Sequence, residues 1–210
     1  VAVTLCYTAA ATVLGLAVAL VSALLIIRLG AGSALLQSIV FFPSVAAGAG
    51  LYVLWAWMFE PNVGLINYLL SLMGIDGPGW LTDVGWALPS LVLMSVFFVG
   101  QQTLVFVSSL RGVPLELYEA AKLDGAGVVR SFRHVTLPLI SSSTFYNLMI
   151  MMIFSLQLFA QPFMMTKGGP ARSTYSMGLY IYETAFKYGQ FGYASALAWV
   201  LFGITGTLAA

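Results

Sequence analysis

The chain has 210 residues, of which 60% are hydrophobic and 7% charged, and its formal net charge is +1. A soluble domain carries roughly 25% charged residues, so this chain lacks the polar surface that a folded domain needs in water. The near-neutral charge gives no reason to expect a nucleic-acid partner. The single cysteine, Cys6, excludes a disulfide within the chain and is predicted to be a small core or lipid-facing residue. Composition therefore predicts a membrane protein with several spans.

Five apolar stretches reach or approach the length of about 20 residues that a helix needs to cross a bilayer. None of them contains Asp, Glu, Lys, Arg or His, so every charged residue falls in a connection. This segregation is informative because a charge at the bilayer centre is costly. The predicted spans are Val1–Ile27, Ser38–Phe59, Trp86–Leu110, Leu139–Met165 and Tyr193–Ala210.

The predicted fold class is therefore an all-α bundle of transmembrane helices that forms one domain over residues 1–210. The first stretch lacks the basic start of a signal peptide and is too long for one. The last stretch ends after Gly203 and Gly206 without a polar tail. From both ends we expect the chain to be a piece of a longer protein.

The distribution of Lys and Arg predicts an orientation. Arg28 follows the first span and four basic residues lie within 111–138, whereas 60–85 contains none. The positive-inside rule places the connections at 28–37 and 111–138 in the cytoplasm and 60–85 outside. The connection at 166–192, with three basic residues, is then also external and weakens the pattern.

The predicted external connection at 60–85 is too long for a simple turn. Residues 65–73 have the pattern of a short amphipathic helix, a glycine-rich turn follows, and Trp80 is predicted to anchor the segment at the interface. We expect the helix to lie in the headgroup plane or to contact an external partner.

The sequence contains no obvious source of energy or catalysis. No carboxylate or histidine occupies a span, so a proton relay has no residues to use. A phosphate-binding GxxxxGK[ST] loop and a cluster with metal-ligand spacing are both absent from the sequence. We therefore predict that the chain is not an enzyme, holds no metal or cofactor, and forms a pathway whose energy arrives from elsewhere.

The stretch 111–138 predicts a compact cytoplasmic helix–turn–helix. Pro114 suits the first position of a helix, and Gly125 suits a left-handed residue at its end. Ala120 and Ala121 leave a flat face that another protein can approach closely. A second short helix is predicted to carry an apolar stripe of Val128, Phe132 and Val135.

These residues match a specific pattern. Glu119-Ala120-Ala121, followed by Asp124-Gly125-Ala126 and later Leu137-Pro138, resembles the EAA loop of binding-protein-dependent ABC importer permeases. In that family the loop is a coupling helix that fits a cleft in the ATP-binding subunit. The resemblance implies the fold of type I ABC importer permeases and identifies candidate ATPase-docking residues: Glu119, Ala120, Ala121, Asp124, Gly125 and Ala126.

The same resemblance implies partners and a location. It implies two ATP-binding subunits, which hold the ATP and Mg, together with a second permease subunit and an external solute-binding protein. It also implies a bacterial or archaeal cytoplasmic membrane. Family members have at least six spans, so a sixth would precede Val1.

Further segments narrow the resemblance. These segments resemble the carbohydrate branch of the family, in particular its maltose-type and glycerol-phosphate-type subunits. They comprise residues 166–174, 180–182, 185–186 and 192–196. A phosphorylated solute would call for a basic residue in the path, and the spans contain none. The expected solute is therefore a neutral sugar or a sugar-like molecule.

Polar side chains in the third and fourth predicted spans are candidates for the solute pathway. Amides suit hydroxyl recognition, an aromatic ring suits stacking, and the alternative role is hydrogen bonding between packed helices. A helical 3–4 spacing places Asn147, Ile150, Phe154, Gln157 and Gln161 on one face. The candidate pathway residues are Gln101, Gln102, Asn147, Phe154, Ser155 and Gln157.

Two hypotheses from different classes follow. The main hypothesis is a permease subunit of an ATP-driven importer that moves a sugar by alternating access. The alternative is a membrane scaffold or assembly subunit that docks a cytoplasmic protein through 111–138. A membrane-embedded enzyme is a distant third.

Overall fold

The computed structural model describes residues 1–29, 33–46 and 48–209, and every regular element within these ranges is helical. Short turns of other helix types adjoin the α-helices, namely a 3-10 turn at Val96–Phe98 and π turns at Phe132–Thr136 and Glu183–Lys187. The α-helices are α1 (Ala2–Arg28), α2 (Ser33–Val45), α3 (Ala49–Met58), α4 (Leu65–Leu72), α5 (Val84–Ser95), α6 (Gly100–Arg111), α7 (Leu115–Leu123), α8 (Val128–Ser131), α9 (Leu137–Leu139), α10 (Ser141–Leu156), α11 (Ala160–Met165), α12 (Met177–Tyr182) and α13 (Phe191–Ala209).

The predicted all-α transmembrane fold class is confirmed. Among the described residues, α1 and Phe191–Leu208 of α13 are each long and apolar enough to cross a membrane. Three further crossings result if each of three bent helix pairs is one broken span. These pairs are α2 with α3, α5 with α6, and the helical segment Val128–Leu139 with α10.

Three of the predicted spans are each divided into two helices, and some of their predicted bounds are wrong. The second begins at Ser33 rather than Ser38 and comprises α2 and α3, and the third divides after Phe98 into α5 and α6. The fourth ends as α10 at Leu156, and its predicted remainder forms the separate helix α11. Ala47 and Ala210, which the prediction placed in spans, and residues 30–32 of the first connection lie outside the described residues.

The break between α10 and α11 has a local cause. In a continuous helix the ring of Pro162 would meet the carbonyl of Leu158, and its missing N–H would leave that carbonyl without a partner. Instead the Leu158 carbonyl accepts a hydrogen bond from Ser176 Oγ at 2.6 Å. Ser176 also caps α12, because its Oγ accepts the backbone N–H of Leu179. One serine therefore satisfies the end of one helix and the start of another.

The chain divides into two compact units. The first contains residues 1–13, 46–96 and 152–210, and its core includes Tyr7, Ala11, Leu91 and Leu158. Within it, the backbone N–H of Met177 donates to Thr4 Oγ1 at 2.9 Å.

The second unit contains residues 14–45 and 97–151. Its core combines small residues of α1 with larger ones of α6, so that the two helices approach closely, and it includes Ala19, Ala23, Ile26, Phe106, Val107 and Ile140. Gly100 marks another close approach, because a Cβ there would lie 2.6 Å from the carbonyl oxygen of Val40 in α2. Small residues at helix contacts are typical of membrane bundles.

The outer surfaces of α1 and α13 are apolar. In α13, Trp199 is 72% exposed and Phe202 is 68% exposed, and α1 exposes Val13 and Val21 in the same way. Cys6 is also exposed on α1. Such surfaces are unfavourable in water and suit contact with lipid.

Candidate functional site

The predicted docking helix is α7, and its end is stabilised by backbone hydrogen bonds. Gly125 follows the helix with φ +75°, in the left-handed region that glycine adopts without strain. The N–H of Ala126 donates to Ala121 O at 2.9 Å, and the N–H of Gly125 donates to Lys122 O at 3.1 Å. This pair of bonds is a Schellman motif, which closes the helix and fixes the direction of the chain after it. The predicted left-handed glycine is confirmed.

The start of α7 differs by one residue from the prediction. Pro114 is the cap residue before the helix rather than its first residue, with φ −59° and ψ 132°. Glu116 lies in the first turn and Lys122 in the last, as the helix dipole favours.

The second predicted helix of the loop contains a π turn. It begins as α8, widens over Phe132–Thr136 and ends as α9 at Leu139. The N–H of Leu137 donates to Phe132 O, five residues earlier. The predicted stripe is partly wrong: Val128 is 72% exposed, while Phe132 and Val135 are half-buried.

The candidate docking residues form an accessible surface on α7 and the turn after it. Ala121 and Ala126 are half-buried, and the remaining four candidates are exposed, namely Glu119, Ala120, Asp124 and Gly125. The side chain of Leu123 is 89% exposed. A leucine this exposed is costly in water unless another molecule covers it.

Sequence reasoning emphasised the small residues and missed the bulky apolar ones beside them. Five large apolar side chains of α7 and α8 are exposed, and we call them the apolar rim: Leu115, Leu117, Leu123, Val128 and Val129. Their positions could have indicated this, since they lie among charged residues on a segment that is too short to be a span.

The polar pathway candidates have different environments. Asn147 is 1% exposed, and its Nδ2 donates to the backbone carbonyl of Gln102 at 3.1 Å, so the structure brings these two candidates together. The Oε1 atom of Gln102 is buried without a hydrogen-bond partner among the described residues. Gln101 is exposed.

The predicted polar stripe along the fourth span is wrong beyond Phe154. Because α10 ends at Leu156, Gln157 lies in the break and Gln161 lies on α11. Gln161 Oε1 instead accepts the hydroxyl of Tyr7 at 2.8 Å. Phe154 is 67% exposed, Ser155 is half-buried and Gln157 is exposed.

One polar residue was missed because the second span was predicted to start too late. Gln37 lies within α2, and its Nε2 atom is buried without a partner in the described part of the chain. Helix α2 packs against α6, which carries Gln102. A buried amide group that lacks a partner is available to a hydroxyl of a bound molecule or to water.

The connection at 166–192 contains a cluster of hydrogen-bonded charged residues around Glu183. The hydroxyl of Tyr175 donates to Glu183 Oε2, and Lys187 Nζ forms an ion pair with Glu183 Oε1 at 3.1 Å. The Tyr175 hydrogen bond and then the Lys187 charge lower the pKa of Glu183. Burial and then the neighbouring carboxylate raise the pKa of Tyr175, so its hydroxyl stays protonated. Among the described residues no group of three or more His, Cys, Asp or Glu side chains could hold a metal ion.

The long apolar helices and bent helix pairs are typical of an integral membrane protein. A family model described as "Binding-protein-dependent transport system inner membrane component" matches residues 11–210. The chain belongs to this family.

Relatives with assigned names agree with this membership. The chain is 35% identical over 210 residues to the probable ABC transporter permease protein YesP of Bacillus subtilis, covering 98% of this chain and 68% of that protein. It is 37% identical to the sulfoquinovosyl glycerol transport system permease protein SmoG of Agrobacterium fabrum, covering 75% of this chain and 51% of SmoG. It is 36% identical to the diacetylchitobiose uptake system permease protein NgcF of Streptomyces coelicolor, covering 85% of this chain and 52% of NgcF. The matched region is about half the length of the last two relatives.

A solved structure shows the same fold. A chain of a bacterial ABC transporter involved in the import of the acidic polysaccharide alginate superposes with a TM-score of 0.88 at 21% identity. The superposition covers 100% of this chain and 74% of that chain.

Proposed function

We propose that the chain is a membrane-spanning permease subunit of an ATP-driven importer, and that its solute is a sugar or a sugar-like molecule. The observation that carries the proposal is the Schellman-capped helix α7 with its exposed apolar rim, in a chain of the binding-protein-dependent family. A rim of this kind needs a protein partner, since its loop is too polar and too short to lie in lipid.

The partner at this surface is an ATP-binding subunit. Two such subunits would hold the ATP and Mg and perform the hydrolysis, so the chain itself performs no chemistry. Their closure moves α7, and the helical segment 128–139 carries that motion into α10. The spans then alternate between an inward-open and an outward-open state. A second permease subunit completes the pathway, and an external solute-binding protein delivers the solute at the connections 60–85 and 166–192.

The solute class rests on two supports. SmoG is named for the transport of sulfoquinovosyl glycerol, and NgcF is named for the uptake of diacetylchitobiose. The five spans predicted from the sequence offer amides and hydroxyls but no charged side chain, which suits a neutral hydroxylated solute. We assign Gln101, Gln102, Phe154, Ser155 and Gln157 to the pathway and give Asn147 a supporting role, because its amide is bonded to backbone.

Co-purification of the full-length protein with its ATP-binding subunit tests the proposal. Leu123→Asp places a charge in the apolar rim and is expected to abolish the association while the protein remains in the membrane. Thr82→Asp is the matched control, because Thr82 is exposed in a connection predicted to lie on the opposite side. Unchanged association of Leu123→Asp, or failure of the wild type to bind any ATPase, would overturn the proposal.

A further inference from the structure

Helix α4 presents an apolar surface outward. No charged residue occurs from Pro61 to Ile75, and Leu72 and Met73 expose 68% and 75% of their area. We call the whole set the α4 surface: Leu65, Tyr68, Leu69, Leu72, Met73 and Ile75, each at least 40% exposed.

Of the polar residues of α4, Asn67 faces the protein, whereas Ser71 is exposed and its hydroxyl donates to the backbone carbonyl of Tyr68 at 2.7 Å. Asn67 Nδ2 donates to the carbonyls of Pro61 at 3.0 Å and Pro78 at 3.3 Å, and Asn67 Oδ1 accepts the indole N–H of Trp80 at 2.6 Å. A surface helix in water turns its polar side outward and its apolar side inward. Helix α4 instead exposes mostly apolar side chains and turns the amide of Asn67 inward, which indicates an apolar environment outside it.

The segment holds this orientation through contacts at both of its ends. The N–H of Ile75 donates to Leu70 O and the N–H of Gly74 donates to Ser71 O, so a second Schellman motif closes α4. The ring of Trp80 packs at 5.6 Å from Phe59. The exposed surface is therefore a built feature of the fold rather than one arrangement of a loose loop.

Two observations identify lipid as the occupant. Helix α3 packs against α4 and exposes Val53, Leu54 and Trp57, so the apolar surface of a candidate span continues onto α4. The carboxylates Glu60 and Asp76 bracket the helix, and the N–H of Val63 donates to Glu60 Oε2. That hydrogen bond lowers the pKa of Glu60, so this end of the segment carries a charge that belongs at the headgroup level.

We propose that α4 is an interfacial helix whose apolar α4 surface inserts among the lipids at the membrane–water boundary. Its length of about 12 Å suits a helix lying parallel to the membrane plane. Its exposed Tyr68 is of a residue type that is enriched at membrane–water interfaces. The inference depends on membership of the membrane family and not on the solute or the ATPase partner.

Spin-label accessibility tests the proposal. Single-cysteine variants are made in a Cys6→Ala background of the full-length protein, at Leu69, Leu72 and Met73, with Thr82→Cys as the water-exposed control. The labelled proteins are placed in vesicles of phosphatidylethanolamine and phosphatidylglycerol, alone and with their partner subunits. Collision with oxygen reports lipid, and collision with a water-soluble nickel chelate reports water.

Labels on the α4 surface are expected to be several-fold more accessible to oxygen than to the nickel chelate, with and without partners, and Thr82 is expected to show the reverse. Accessibility to nickel at Leu72 and Met73 would overturn the proposal. Loss of access to both reagents only in the assembled complex would also overturn it and identify a protein partner. If one substitution prevents folding, Tyr68→Cys provides an independent position on the same surface.

Discussion

The hydroxyl of Tyr118 lies 2.9 Å from Thr136 Oγ1, so α7 is hydrogen-bonded to the π turn 18 residues further along the chain. Thr136 is 4% exposed and directly precedes Leu137-Pro138. Helix α7 also packs against the π turn. A displacement of α7 by a bound partner would therefore be transmitted through this contact to the segment that leads into α10.

Removing the hydroxyl from this contact should weaken the transmission. Tyr118→Phe is expected to lower the free energy of unfolding by about 1 kcal/mol, since a partly buried hydrogen bond contributes that much. It should also lower the solute transported per ATP hydrolysed more than it lowers binding of the ATPase. Thermal unfolding, binding and transport of the full-length complex measure the three effects.

A double-mutant cycle separates the bond from its surroundings. If the hydroxyls act together, Tyr118→Phe combined with Thr136→Val is expected to cost less than the two single changes added. Tyr146→Phe, on an exposed tyrosine of the same unit, is the control. Additive effects would show that the two hydroxyls do not act as a pair.

Substitutions at Gly125 and Gly127 separate the effect of backbone conformation from the effect of steric crowding. A Cβ at Gly125 or at Gly127 would meet no atom within 4 Å, but Gly125 has φ +75° whereas Gly127 has φ −71°. Gly125→Ala is therefore expected to destabilise the end of α7 by about 1 kcal/mol, from backbone strain alone. Gly127→Ala should leave stability unchanged or raise it slightly. Hydrogen exchange over residues 115–126 measures the difference, and equal exchange in both variants would contradict the strain argument.

Gly100 should tolerate no side chain. A Cβ there would approach Val40 O at 2.6 Å and Phe41 Cα at 2.8 Å, both of which are backbone atoms that cannot move aside alone. Gly100→Ala is expected to cost about 1–3 kcal/mol of stability through overpacking. Gly203→Ala in α13 meets open space and should be neutral or stabilising. Thermal unfolding in detergent compares the two, and equal melting temperatures would show that α2 and α6 can separate without cost.

The Glu183 cluster should make stability depend on acid. Because its folded-state pKa is lowered, the ionised Glu183 stabilises the fold above its unfolded pKa of about 4.3, and this contribution is lost as the pH falls through the folded value. Glu183→Gln is expected to melt below the wild type at neutral pH, with the difference disappearing on acidification. Glu116→Gln, on an exposed residue, is the control. A difference that persists unchanged in acid would assign the effect to packing instead.

Asn147 and Gln157 should respond differently to substitution. Asn147→Leu removes the bond to Gln102 O from a buried site and is expected to lower stability by about 1–3 kcal/mol. Gln157 is exposed in the break after α10, so Gln157→Ala should fold normally and change the affinity or selectivity of uptake. Unfolding and uptake assays on both variants give the comparison. Unchanged uptake by Gln157→Ala would remove this residue from the pathway and favour a scaffold role.

The positions of the apolar stretches, the short helix at 65–72 and the left-handed Gly125 were predictable from sequence. Each depends on a local property: the cost of a charge in lipid, the 3–4 spacing of apolar residues, or the φ value that only glycine adopts easily. The docking pattern around Glu119 is equally local, because its residues lie within one helix and the turn that ends it.

Only the tertiary structure decided which hydrogen-bonding groups meet. Gln161 bonds to Tyr7 across 154 residues, and the amide of Asn147 bonds to a backbone carbonyl 45 residues away. Helical periodicity predicts which face a residue shares but not whether the helix continues, and the break before Pro162 removed Gln161 from its predicted face. The inward orientation of Asn67 on α4 was likewise inaccessible to pattern reasoning, because its bonding partners are carbonyls and an indole N–H set in place by other parts of the fold.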